Sequence, residues 1–185
     1  MKFGIIKERK NPPDRRVVFT PEELVRLQSE HPEAEIKVES SDIRIFSDDQ
    51  YRNLGLNVTT DVSDCDVLFG VKEVPIDALI PNKKYFFFSH TIKKQPYNRK
   101  LLQAILAKNI ELYDHETIVD ATNHRLIGFG RYAGLVGAYN GFRGFGIKYD
   151  LFTLPKAETL SGKEDLIARL KRQTLPNIKI VLTDR

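Results

Sequence analysis

Residues Cys65 to Lys94 read CDVLFGVKEVPIDALIPNKKYFFFSHTIKK. Two apolar runs stand in this stretch, Asp66 to Val71 and Lys84 to Ser89, each short and rich in β-branched or aromatic residues. Neither is interrupted often enough to be a strand with one wet face. Such runs suit strands buried on both faces, as in a parallel sheet covered by helices. Each ends in a residue capable of proton chemistry, Lys72 after the first and His90 after the second. If the strands are parallel, both emerge at the carboxyl edge of one sheet, where open α/β sheets place their ligands. An ammonium and an imidazole brought close there could form an acid–base pair.

Outward from this stretch, strand and helix signals alternate. Phe3 to Ile6 reads as the first strand. Lys7 to Arg16 (KERKNPPDRR) is a polar loop with two prolines, and five of its ten residues are basic. Thr20, Pro21 and Glu23 form an N-cap, a first-turn proline and a capping box for a helix to about Glu30, with Leu24, Val25 and Leu27 inward. Glu35 to Glu39 alternates as a strand with one polar face. Ser47 and Gln50 open a short helix that Gly55 closes. After the two central strands, Tyr97 to Lys108 has the apolar period of a helix, with Leu101, Leu102, Ile105 and Leu106 inward. Ile110 to Tyr113 is a further strand, ending in Asp114-His115-Glu116. The alternation predicts an α/β fold: a flavodoxin-like open, mostly parallel sheet with helices on both faces.

The stretch from Gly128 to Gly146 (GFGRYAGLVGAYNGFRGFG) has the look of a dinucleotide-binding glycine motif, but the match fails. Ala133 stands at the third glycine position, and no buried strand with a downstream acidic residue frames it. The better reading is a helix whose small residues (Ala133, Gly134, Gly137, Ala138, Gly141) recur at three- and four-residue spacing, letting another helix approach. Tyr149 to Ala157 reads as a linker. Ser161 to about Lys171 reads as a helix, and Ile178 to Thr183 as a strand, like the first strand of a nucleotide-binding domain. The expected organisation is a substrate domain over residues 1–150, then a linker, a helix and the first strand of a truncated nucleotide-binding domain over 151–185.

Composition bounds the classes. The chain has 185 residues, a net charge of +4 and one cysteine, Cys65. A lone cysteine excludes an internal disulfide and a cysteine-based zinc site; no metal is expected, and the usage fits a reducing cytoplasm. No run is long enough to cross a membrane, and no secretory signal is expected. Lysines and arginines are interspersed with acids, a pattern of solvated surface with no nucleic-acid motif behind it. A basic site for an acidic small molecule stays open. So does self-association, through the terminal strand or the glycine-rich helix.

The order of motifs resembles the N-terminal half of the family that unites alanine dehydrogenase, the transhydrogenase nucleotide-binding subunit and lysine-forming saccharopine dehydrogenase. The residues that carry the resemblance are Lys7-Glu8, Asp14 to Pro21, Gly70 to Pro75, Phe88 to Lys93, Leu112 to Glu116 and Phe129 to Gly134. His90-Thr91-Ile92-Lys93 and the pattern from Phe129 to Gly134 are more similar to the saccharopine branch. The resemblance implies an NAD-dependent oxidoreductase acting on a CH–NH group of an amino acid, similar to saccharopine dehydrogenase and forming lysine and 2-oxoglutarate. The alternatives are an enzyme similar to alanine dehydrogenase, converting alanine to pyruvate and ammonia, and a ligand-binding module that kept the fold without the chemistry. It implies Lys72 and His90 as the acid–base pair, Arg16 as a holder of a substrate carboxylate, and Glu73, Lys93, Glu116 and Arg131 as groups that contact substrate or tune the pair. It also implies NAD on a separate nucleotide-binding domain, with no cofactor-binding residue in this chain. The 185 residues alone are therefore expected not to turn over.

Overall fold

The computed structural model describes residues 1–181 of the 185. By compactness the chain divides into two units, Met1–Gly128 and Phe129–Arg185. That division falls ahead of the boundary expected at residue 150, because the helix after Gly128 packs with the segment that follows it: Tyr139, Leu154 and Leu166 form one buried cluster.

In the first unit the strands are β1 (Lys2–Ile5), β2 (Glu35–Glu39), β3 (Asn57–Thr59), β4 (Val67–Lys72), β5 (Lys84–Phe88) and β6 (Glu111–Asp114). All neighbouring pairs are parallel, in the order β3-β2-β1-β4-β5-β6. Without the three-residue edge strand β3 this is the flavodoxin order 2-1-3-4-5; with it, the sheet is doubly wound about a switch point between β1 and β4. β3 is an addition to the expected elements. The central strands meet a core on each face, as their composition predicts: Leu68 and Phe87 are fully buried in one cluster, and Phe69, on the opposite side of β4, is partly buried against the other.

The helices are α1 (Pro21–Glu30), α2 (Asp48–Arg52) and α3 (Arg99–Ala107). Both expected capping boxes form, Thr20 with Glu23 and Ser47 with Gln50. Leu24 and Tyr51, from α1 and α2, belong to a core cluster with Ile5, Ile36 and Val38 of the sheet. On the other face Leu101 and Ile105 of α3 pack with Cys65, Leu68, Tyr85 and Phe87. Burying such a side chain stabilises by about 1.5–3 kcal/mol. Leu102, Leu106 and Val25, expected inward, are exposed. Leu101 and Ile105, four apart, already lie along the line of contact, and the residue after each is turned about 100° away.

The second unit holds α4 (Gly130–Lys148) and α5 (Lys163–Lys171). Among the described residues no helix closely approaches the α4 glycines: a Cβ at Gly134, Gly137 or Gly141 would meet nothing there within 4 Å. Gly146 alone is closely packed, against Phe152. Residues 178–181, expected to begin a strand, take no strand conformation, since a strand needs a neighbour to pair with and none is bonded to them among the described residues. Leu182 and Thr183, the rest of that expected strand, lie outside the described residues. No helix is long and apolar enough to cross a membrane among the described residues.

Candidate functional site

The carboxyl edge of the first unit's sheet collects the chain's buried charges. β1 runs into Glu8, β2 ends in Glu39, β4 ends in Lys72, β5 runs into Ser89 and His90, and β6 runs into Asp114, His115 and Glu116. Glu8, Glu39, Asp114, His115 and Glu116 are all buried. Buried carboxylates are tolerated only when paired or hydrogen-bonded, and each of these is.

His90 sits one residue beyond Ser89 in a left-handed conformation (φ 57°) that turns the chain out of the sheet into a short helical turn, Thr91–Lys93. Asn98 donates to its carbonyl at 3.0 Å, fixing that turn. The imidazole Nδ1 lies 2.9 Å from Glu116 Oε2 and 3.0 Å from Lys93 Nζ. Lys93 Nζ and Arg125 also reach Glu116 Oε1, at 3.1 and 3.0 Å. Glu116 is thus a buried anion shared by three cationic or basic groups. Burial pushes its carboxyl up, but the bonds from His90 and Lys93 outweigh this and hold it below the usual range. With Nδ1 turned to Glu116, Nε2 is the ring nitrogen left to exchange a proton.

Lys72 ends β4 and pairs in register with Phe88, two residues before His90. Both predicted catalytic side chains therefore leave the same edge on neighbouring strands. Glu8 accepts the Val71 and Lys72 backbone N–H groups at 2.7 and 2.9 Å. Burial raises its pKa, against those two bonds. Gly70 packs closely on Ile6: a Cβ there would stand 3.0 Å from Ile6 Cδ1, while Glu8 Oε1 would lie at an ordinary contact distance of 3.5 Å. The ammonium of Lys72 makes no hydrogen bond or ion pair among the described residues, though its charge helps hold Asp14 ionised.

Arg16 is clamped by Asp14, with Nε at 2.9 Å and the terminal nitrogen at 2.5 Å from its carboxylate. This fork depresses the Asp14 pKa and raises that of Arg16. Glu39 holds the same loop by accepting the Lys7 N–H at 3.0 Å and pairing with Arg9. Glu73 takes the Lys10 ammonium on one oxygen, while its other oxygen is buried with no partner among the described residues. Burial pushes the Glu73 carboxyl up, but the Lys10 bond and the charges of Lys10 and His90 bring it below its ordinary value.

Of the predicted site residues, Lys72, His90, Arg16, Glu73, Lys93 and Glu116 all belong to the first unit and to the loops at this edge. Arg131 lies in the second unit, exposed in the first turn of α4. Sequence reading missed Arg125, Glu8 and Asp14 as members of the site. For Glu8 the sequence shows an acid three residues beyond β1 but nothing that marks the distant backbone amides it accepts. No group of three His, Cys, Asp or Glu is placed to hold a metal ion among the described residues.

A sheet of this order, with a lysine and a carboxylate-bound histidine at the ends of its central strands, invites comparison with known proteins. Residues 4–136 match the alanine dehydrogenase/PNT N-terminal domain. The chain belongs to that family. An alpha-aminoadipic semialdehyde synthase of Arabidopsis thaliana is 36% identical over 147 residues, covering 77% of this chain and 14% of that protein. A saccharopine dehydrogenase [NAD(+), L-lysine-forming] of Yarrowia lipolytica is 27% identical over 146 residues, covering 75% of this chain and 40% of that one. Among solved structures, an L-alanine dehydrogenase superposes with a TM-score of 0.54 at 21% identity, covering 67% of this chain and 35% of its own. This likeness shows the fold. The chain spans less than half the length of each of these relatives.

The Yarrowia lipolytica relative is named for NAD(+). The described residues of this chain do not fit a dinucleotide cradle. The loop from β1 to α1 contains no glycine, and the six glycines from Gly130 to Gly146 lie inside α4, where a Cβ on five of them would meet nothing within 4 Å among the described residues. A phosphate cradle needs glycines in a strand-to-helix turn, where the backbone can approach the ligand.

Proposed function

We propose that this chain is the proton-transfer and substrate-binding part of an NAD-dependent amino-acid oxidoreductase acting on a CH–NH group, with saccharopine as substrate and lysine and 2-oxoglutarate as products. The observation that carries the reading is the placement of Lys72 and His90 at the ends of adjacent parallel strands, with Glu116 on the histidine's Nδ1. Family membership and the names of the relatives support the reaction class.

Several proton movements are required of such a site. The secondary amine loses a proton as it is oxidised to an imine. Water loses one as it adds to the imine carbon and a second, from the hydroxyl so formed, as the carbonyl forms. The nitrogen takes up two protons in the same steps and leaves as the amine when the carbon–nitrogen bond breaks. His90 Nε2 and Lys72 Nζ are the two atoms assigned to these transfers. Glu116 holds the imidazole in one orientation and compensates the charge it acquires. Arg16, held rigid by Asp14, is assigned a substrate carboxylate, for which a guanidinium offers a two-point match. The partnerless oxygen of Glu73 is assigned the substrate ammonium. No hydride step is assigned to these residues, because the described ones build no dinucleotide cradle. The purified 185 residues are accordingly expected to show no NAD-dependent turnover by themselves.

The test is substitution in the assembled enzyme, the chain together with its nucleotide-binding region. Lys72→Met and His90→Gln should each lower kcat by about 10²–10⁴, the usual worth of a general acid or base. Activity within about twofold of the parent in both variants, with the fold intact, would overturn the assignment. Turnover of alanine in preference to saccharopine would keep the site and replace the substrate.

A further inference from the structure

The sheet ladder fails just before Lys72. β4 slips against β5 between Phe69 and Lys72, leaving an extra residue on the β4 side. β1 ends at Ile5, level with Phe69. The neighbouring strands therefore cannot serve every backbone group from Gly70 to Lys72, yet buried backbone groups must be paired. Two buried side chains from outside the ladder complete the pairing. Glu8, beyond β1, accepts the Val71 and Lys72 amides. His115, beyond β6, packs edge-on against Phe88 at 5.0 Å between ring centres and places Nε2 3.1 Å from the Gly70 carbonyl oxygen.

A carbonyl only accepts, so Nε2 carries the hydrogen. Nδ1 is then a bare acceptor, buried and without a partner among the described residues. A hydrocarbon side chain beside Phe86 and Phe88 would avoid that unmet acceptor, so packing does not account for a histidine here. Burial also holds the ring neutral by lowering its pKa, which keeps Nε2–H the hydrogen in use. The Gly70–Val71 peptide is thereby held at both its atoms, the oxygen by His115 and the nitrogen by Glu8. Because the Lys72 ammonium has no partner of its own among the described residues, the direction of the side chain is set by this backbone.

We propose that His115 is a positioning residue whose Nε2–H···O=C bond to Gly70 fixes the direction in which the Lys72 side chain leaves β4. The inference rests on the proton-transfer role proposed above for Lys72. It concerns a residue that the reaction itself does not touch.

The test uses residues 1–185 and three variants. His115→Gln keeps a donor where Nε2–H stands, His115→Leu fills the volume without one, and Lys72→Met assigns the Lys72 signals. Competitive acetylation read by mass spectrometry gives the reactivity of Lys72 relative to the other lysines. The amide signals of Val71 and Lys72 report the backbone, and urea unfolding reports stability. His115→Leu should change the relative reactivity of Lys72 severalfold and move both amide signals, while His115→Gln restores both towards the parent. Unchanged Lys72 reactivity in folded His115→Leu would overturn the proposal, as would equal changes in the two variants. Should His115→Leu fail to fold, the histidine tautomer in the parent decides by nitrogen NMR: Nε2–H is expected, and Nδ1–H would overturn it. None of these readings uses a ligand, so a chain that binds no amino or oxo acid would sink the proposed function and leave this result standing.

Discussion

The two ends of the sheet handle charge in opposite ways. At the amino end, Lys2 and Lys37 reach the Asp64 carboxylate at 2.8 and 2.7 Å. Those two lysines push the Asp64 carboxyl down to about 2, but Lys2 and Asp64 stay in water, with 41% and 44% of their side chains exposed. At the carboxyl end, Glu116 has 2% of its side chain exposed and gathers His90, Lys93 and Arg125. Glu8 is spent on backbone amides and Arg16 on Asp14. Exposed pairs are screened and contribute little. Buried ones carry a desolvation cost that stability alone does not explain, and perturbed groups of this kind cluster at functional sites. The contrast between the ends, more than the number of charges, marks the carboxyl edge as the candidate site.

The largest expected effect comes from Glu8→Leu. It leaves one buried and one partly buried amide without an acceptor, each costing about 1–3 kcal/mol, so urea unfolding should report a loss of about 2–6 kcal/mol. Next is the response to acid. Glu116 has a folded pKa below its ordinary 4.5, so the unfolded chain takes up that proton first. Its contribution is present above pH 4.5 and is lost as the pH falls through the folded value. Glu116→Gln should flatten this part of the stability profile. The folded pKa of His115 lies below 6.5, so stability should already decline as pH falls from 6.5, and His115→Gln should remove that earlier slope. The smallest effect belongs to the other end: Asp64→Asn should leave the urea midpoint almost unchanged, and any remaining difference should shrink at high salt. An Asp64→Asn loss exceeding that of Glu8→Leu would break the comparison.

What was legible in the sequence follows from how local each signal is. The runs Val67–Val71 and Tyr85–Phe88 announced strands buried on both faces, and Thr20 with Glu23 announced a helix start, because the residues concerned are adjacent or three apart. β3 was passed over: it is three residues long and opens with the exposed Asn57. Four apolar positions of α3 looked alike, yet the sheet covers only the line through Leu101 and Ile105. In the site, Lys72 and His90 were legible as chemistry at strand ends. Glu8 and His115 were not, since their partners are backbone groups 63 and 45 residues away. Nothing in a side-chain pattern marks a bond to a backbone that far along the chain.

The central claim, that the carboxyl edge binds an amino or oxo acid between Arg16, Lys72 and His90, is tested most directly by following the histidine ring signals of the 185-residue chain during titration. Saccharopine, 2-oxoglutarate, lysine, alanine and pyruvate would be added in turn. The account predicts a saturable shift of the His90 signals with a carboxylate ligand, weakened in Arg16→Ala, while His31 and His124 stay still. No shift with any of the five, or a shift that survives unchanged in Arg16→Ala, would contradict it.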